Sequence, residues 1–100
     1  MDKYTVKMYS RVYSDLDNIY EYIASHLQEP GTGLQIVDQI ENTILSLEEF
    51  PERGSYRKTG TYSGRKYRQL FVKNYVIIYK VIQESMEVHI VTVRYAASDF

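Results

Sequence analysis

Cysteine is absent from this 100-residue chain, which excludes disulfides and thiolate metal sites. That absence fits a reducing compartment. No apolar stretch approaches the roughly 18 residues of a membrane span. The opening Met1-Asp2-Lys3-Tyr4 has no apolar run behind its charges, so no secretory leader is expected. The expectation is a cytoplasmic protein without membrane contact. The two histidines, His26 and His89, lie far apart in the sequence, which argues against a histidine metal cluster. Neither has an evident Ser, Cys or carboxylate partner, so no nucleophilic triad is arguable. A glycine-rich phosphate loop is missing too. No metal and no cofactor is expected.

Charge of one sign is missing from each half in turn. After Arg11 no lysine or arginine occurs until Arg53, a stretch carrying Asp15, Asp17, Glu21, Glu29, Asp38, Glu41, Glu48 and Glu49. From Arg53 to Lys80 the chain holds Arg53, Arg57, Lys58, Arg65, Lys66, Arg68, Lys73 and Lys80 and no acid. The net charge of −1 conceals this split. A segregated basic segment points to an anionic partner, nucleic acid or an acidic protein segment; the plainer reading is two solvated faces of opposite sign.

What is present supports one folded domain spanning 1–100. Apolar residues make up 44% of the chain, and a chain of this length buries roughly 60–70% of its unfolded surface. Tyr4 to Tyr9 alternates and is rich in strand formers. Ser10 suits a helix N-cap, with Asp15 and Asp17 near the positive helix end. Val12, Leu16, Ile19, Tyr20, Ile23 and Leu27 then recur at helical spacing. Pro30-Gly31-Thr32-Gly33 breaks the helix, and Thr32 or Gly33 opens a second one, with Leu34, Val37, Ile40, Ile44 and Leu47 as its stripe. Phe50-Pro51 ends it. Residues 51–66 read as a long polar loop, functional or mobile. Three strands follow, Tyr67 to Val72, Tyr75 to Ile82 and Glu87 to Tyr95. The middle one is apolar on both faces, as a central strand should be. The order β-α-α-β-β-β predicts an α+β fold: an antiparallel sheet of about four strands with a helical hairpin on one face.

Candidate site residues come from the basic segment and the last strand. If the loop folds back on the sheet, Arg53, Arg57, Lys58, Arg65, Lys66, Arg68 and Lys73 line one cationic surface, and Tyr residues nearby supply stacking rings. The plainer assignment for Arg68 is a surface residue on the open sheet face, paired with a helix acid. Tyr4, Tyr9, Tyr20, Tyr75 and Tyr79 occupy core-like positions. Tyr95, beside Arg94 at the end of the last strand, suits packing, a protein contact or proton donation.

Several stretches in this order resemble the RelE/ParE superfamily of bacterial toxins over nearly the whole chain. They are Ser10; Asp15-Leu16-Asp17-Asn18-Ile19-Tyr20-Glu21-Tyr22-Ile23; Leu47-Glu48-Glu49-Phe50-Pro51; Tyr67-Arg68-Gln69-Leu70; Asn74 to Val81; and Val88 to Tyr95. The resemblance implies the toxin of a type II toxin–antitoxin pair, held by a cognate antitoxin in a hetero-oligomer. It implies one of two targets. The ParE branch blocks DNA gyrase without chemistry of its own. The RelE branch cleaves mRNA on the ribosome, which here implies a catalytic set of Arg65, Arg68, Arg94 and Tyr95. RelE-like enzymes tend to have an arginine in the hairpin where this chain has Val76, and basic residues where its tail reads Ala96-Ala97-Ser98-Asp99-Phe100. The Asp15–Tyr20 run is closer to ParE, while ParE-like tails often carry His-Gly and a later Arg, which this tail lacks. The expectation is therefore a ParE-like inhibitor, with the endoribonuclease and a non-toxic binding module as alternatives.

Overall fold

The structure is a computed structural model and describes residues 3–98. Asp99 and Phe100, part of the tail compared above, lie outside the described residues, as do Met1 and Asp2. The elements are β1 (Thr5–Met8), α1 (Ser10–Glu21), a π-helical continuation (Tyr22–His26), α2 (Pro30–Ser46), β2 (Ser55–Arg57), β3 (Gly64–Val72), β4 (Tyr75–Ile82) and β5 (Glu87–Tyr95). The five strands form one sheet in the order β1-β5-β4-β3-β2. The central strand is β4, as its two-sided apolar pattern requires.

The α+β arrangement follows the sequence reading, with differences of detail. The sheet has a fifth strand, β2, inside the segment expected to be loop. The sheet is also mixed, because β1 pairs with β5 in parallel. A parallel pair needs a long crossover connection, and here the helical hairpin and three strands separate β1 from β5. Pro30 opens α2 instead of breaking a helix. At the first helical position its missing N–H removes nothing, and its fixed φ already suits the helix. The chain turns just before it, at Gln28 with φ 56°. Ser10 is the first residue of α1, not its cap, and Tyr9 precedes it with no side-chain cap bond. Asp15 and Asp17 therefore lie beyond the first turn.

The helices cover one face of the sheet. Val12, Leu16, Ile19 and Ile23 meet Ile40, Ile44 and Leu47, and both rows pack on Ile77, Tyr79, Val88, Ile90 and Val93. Where the helices cross, a Cβ on Gly33 would stand 3.1 Å from the Tyr20 ring. The opposite face has no helix. There Val76, Ile78 and Val91 form a small second cluster, covered by Tyr62 and Tyr67.

Candidate functional site

The expected cationic surface is divided among several places. Arg68 pairs in register with Tyr79, so it lies on the helix-side face near the β2 edge. Its guanidinium donates to the carbonyls of Gly54 at 2.7 Å and Glu52 at 3.3 Å and to the Tyr56 hydroxyl at 3.0 Å. It also stacks on the Tyr56 ring at 4.2 Å and meets the Glu52 carboxylate at 3.6 Å. With 14% of its side chain exposed, Arg68 is a clamp on residues 52–56. Arg53 donates to Ser46 at the end of α2. Arg65 and Lys66 join Arg68, Glu52 and Tyr56 around a shallow notch of about 180 Å³ at the end of β4. Lys73 sits exposed in the β3–β4 turn with φ 53°, and Lys58 lies in the loop after β2.

Arg57 and Arg94 meet on the helix-free face. Arg94 pairs with Val76, a member of the second cluster. Its guanidinium stands 6.0 Å from the centre of the Tyr62 ring. Arg57 donates to the carbonyls of Tyr62 at 2.9 Å, Thr61 at 3.3 Å and Thr59 at 3.4 Å, and to Gln69 Oε1 at 3.1 Å. Burial, and then the neighbouring Arg94 charge, hold the Arg57 pKa below its usual value. Arg11 of α1, not singled out by the sequence, donates to the Tyr62 hydroxyl at 3.1 Å. Tyr62 also meets Tyr67 edge-on, with ring centres 5.5 Å apart.

Arg68, Arg94 and Tyr95 are thus not brought around one point. Arg94 and Arg68 are on opposite faces of the sheet. Tyr95 pairs with Tyr75, and Tyr75 pairs with Val72, four residues along β3 from Arg68. At 3.3 Å per residue that is roughly 13 Å.

Tyr95 instead lines a groove of about 590 Å³ between the tip of the helical hairpin and the ends of β4 and β5. Ile19, Tyr22, Ile23, Leu27, Ile36, Tyr75 and Val93 make it mainly apolar, with Asp15, Asn18, Thr32, Asn74 and Arg94 as polar points. The π-helical turn at Tyr22–His26 shapes one wall. Such turns recur at functional sites. Tyr75 and Tyr95 meet edge-on at 5.8 Å, and burial, followed by the Tyr22 and Tyr95 phenols, raises the Tyr75 pKa.

Two polar devices were invisible in the sequence. β1 pairs with β5 only as far as Ile90, and Val91 is the extra residue of a bulge opposite Ile78 and Tyr79. Beyond it the edge of β5 is capped by Asp15, whose Oδ2 accepts from the Val93 N–H at 3.1 Å and the Thr92 hydroxyl at 2.7 Å. At the other end, Glu87 spends both carboxylate oxygens, one on Lys7 at 2.9 Å and one on His89 at 2.8 Å. The other nitrogen of His89 lies 3.3 Å from the Tyr9 hydroxyl. Tyr9, expected in the core, is 38% exposed there. Both devices need the parallel β1–β5 pairing to be known before they can be read. Among the described residues no grouping of three potential metal ligands occurs, and no helix is long and apolar enough to cross a membrane.

A helical hairpin laid on one face of a five-stranded mixed sheet matches the architecture of RelE/ParE-like toxin structures. A chromosomal ParDE toxin–antitoxin system from P. aeruginosa superposes with a TM-score of 0.75 at 20% identity, over 93% of this chain and 96% of that one. A mutant of the E. coli toxin RelE in the free state gives 0.66 at 16% identity, over 95% and 85%. The RelBE2 toxin–antitoxin complex from Mycobacterium tuberculosis gives 0.62 at 18% identity, over 98% and 97%. No curated relative matches by sequence. The family described as the ParE toxin of type II toxin–antitoxin system, parDE, matches residues 6–100. The chain belongs to the ParE toxin family and is the toxin component of a type II toxin–antitoxin system.

Proposed function

We propose that this toxin is a binding inhibitor of DNA gyrase, neutralised by a cognate antitoxin that docks in the apolar groove between the helical hairpin and the ends of β4 and β5. The observation that supports the reading is the separation of Arg68, at the β2 edge, from Arg94 and Tyr95, which both line the groove at the far end of β5. Phosphodiester cleavage needs charge-stabilising donors preorganised about one phosphate, and losing one such donor lowers a rate by roughly 10²–10³. Arg68 in particular is engaged by backbone carbonyls and Tyr56. An apolar groove walled by Tyr22, Leu27 and Tyr95, each about half exposed, matches what a helical or extended antitoxin segment buries.

Purified toxin should block gyrase supercoiling at micromolar concentration, and added antitoxin should restore it. Supercoiling that proceeds unchanged refutes the gyrase reading. Transcript ends cut on translating ribosomes, and lost in both Arg68→Ala and Tyr95→Phe, would install the endoribonuclease in its place.

A further inference from the structure

Near its start β3 pairs with neither of its neighbours. Tyr56 and Arg57 are adjacent in β2, but their partners on β3 are Arg68 and Gly64. Arg65, Lys66 and Tyr67 are therefore the surplus residues of a bulge. On the other side the β3–β4 register ends with Arg68 opposite Tyr79, while β4 runs on beside β5 to Ile82. The two strands part there, and the notch of about 180 Å³ opens in the fork. Bulges re-aim side chains and recur beside functional sites.

This bulge brings Arg65 and Lys66 to the notch, which Lys80 lines from β4. Among the described residues no side-chain hydrogen bond or ion pair engages any of the three. Lys66 and Lys80 have ring contacts alone, with Tyr67 at 5.9 Å and Tyr9 at 6.0 Å. Arg68 adds a fourth positive charge from the wall, with its guanidinium already fixed on Gly54 and Tyr56. The one acid on the notch is Glu52, and its carboxylate pairs with that same Arg68 at 3.6 Å. Four cations against one carboxylate leave a net positive potential, which a concave wall concentrates. Arg65 and Lys66 are exposed and Lys80 half-buried, so all three reach the notch while still hydrated.

We propose that the fork between β3 and β4 binds a phosphate monoester, whose terminal oxygens are met by Arg65, Lys66 and Lys80. Size limits the occupant. Drug-sized ligands fill roughly 300–1,000 Å³, and a notch of about 180 Å³ admits one compact ionic group. Charge then selects it. A monoester carries close to two negative charges at pH 7 on three acceptor oxygens, whereas a carboxylate or a phosphodiester carries one charge on two. Lys66 and Lys80 supply mobile point charges, and Arg65 a planar fork that takes two oxygens at once. Because the cations stay hydrated, affinity for the bare anion is on the order of 1 mM. Free phosphate and a nucleoside 5′-monophosphate offer this same chemistry, and the test separates them. The inference does not depend on which target the toxin inhibits.

The test is a titration of the intact toxin with inorganic phosphate, adenosine 5′-monophosphate and dimethyl phosphate at constant ionic strength, followed by amide NMR. Saturable shifts should centre on residues 65–68 and 80–82 with the first two probes. Arg65→Gln, Lys66→Gln and Lys80→Gln should each weaken binding about fivefold or more. Glu52→Gln removes the one opposing carboxylate and should tighten it. Lys73→Gln, an exposed cation at the far end of β3, should leave it unchanged. Far-ultraviolet circular dichroism establishes that each variant is folded. Equal affinity for phosphate and the nucleotide supports the site with the free anion as ligand; a nucleotide at least about tenfold tighter supports it with the nucleotide as ligand. No saturation by about 10 mM phosphate, an equal loss in Lys73→Gln, or dimethyl phosphate binding as tightly as phosphate would each overturn the proposal.

Discussion

Tyr79 shows how much one side chain can organise. It is fully buried, yet its hydroxyl donates to the Pro51 carbonyl at 2.9 Å and accepts from the Gly54 N–H at 2.9 Å. The sequence placed Tyr79 in the core but gave no sign of that second partner. Tyr79→Phe leaves two buried backbone groups unpaired, so it should lower unfolding free energy by about 1–3 kcal/mol in a denaturant titration. Gly54 is glycine for the same reason: a Cβ there would stand 2.6 Å from the Tyr79 hydroxyl and 2.6 Å from the Gln69 carbonyl. Gly54→Ala should therefore destabilise comparably. Asp15 is a second case. Asp15→Asn keeps one acceptor oxygen but loses its charge, and Asp15→Ala loses both bonds to β5; the alanine variant should be the less stable by about 1–2 kcal/mol. Glu87 is the acid-sensitive member. Its hydrogen bond to Lys7, then that to His89, pull its pKa from 4.5 to about 2. A depressed carboxylate stabilises the fold above its unfolded pKa and loses that contribution as pH falls through the folded one. Between about pH 4.5 and 2 the wild type should thus lose stability more steeply than Glu87→Gln, as acid titrations of unfolding at fixed denaturant will reveal.

At the scale of elements, periodicity made the helices and the three long strands legible. Their apolar spacing of three, four or two is set by which face is buried. It could not reveal β2, whose three residues are held by Arg68 and by pairing with β3 across a register shift. Nor could it fix the direction of β1, because a lone strand reads alike in parallel and antiparallel pairings. The cations illustrate the same limit. Their clustering between Arg53 and Lys80 is a property of the chain, but strand alternation then sends Arg68 to one face while Arg94 joins Arg57 on the other. Residues 58–63, between β2 and β3, are gripped by the Arg57 guanidinium through the carbonyls of Thr59, Thr61 and Tyr62, and Arg57→Ala removes that grip. Limited proteolysis within residues 58–63 is expected to accelerate in that variant, while the β4 and β5 amides keep their hydrogen-exchange protection; loss of protection in the sheet would show instead that Arg57 supports the whole fold.

For the molecule as a whole, the two faces of the sheet divide the work. One carries the helices, the core, Arg68 and the groove at the hairpin tip; the other carries Arg57, Arg94 and residues 58–63. A ParE toxin built this way presents separate surfaces to partners, with Arg68 and Arg94 on opposite faces of the sheet. The most direct check is to induce the toxin in growing cells and follow thymidine and amino-acid incorporation together. Inhibition of gyrase requires thymidine incorporation to fall first, with DNA-damage signalling, while protein synthesis continues. Protein synthesis collapsing first, with DNA synthesis intact, would contradict it.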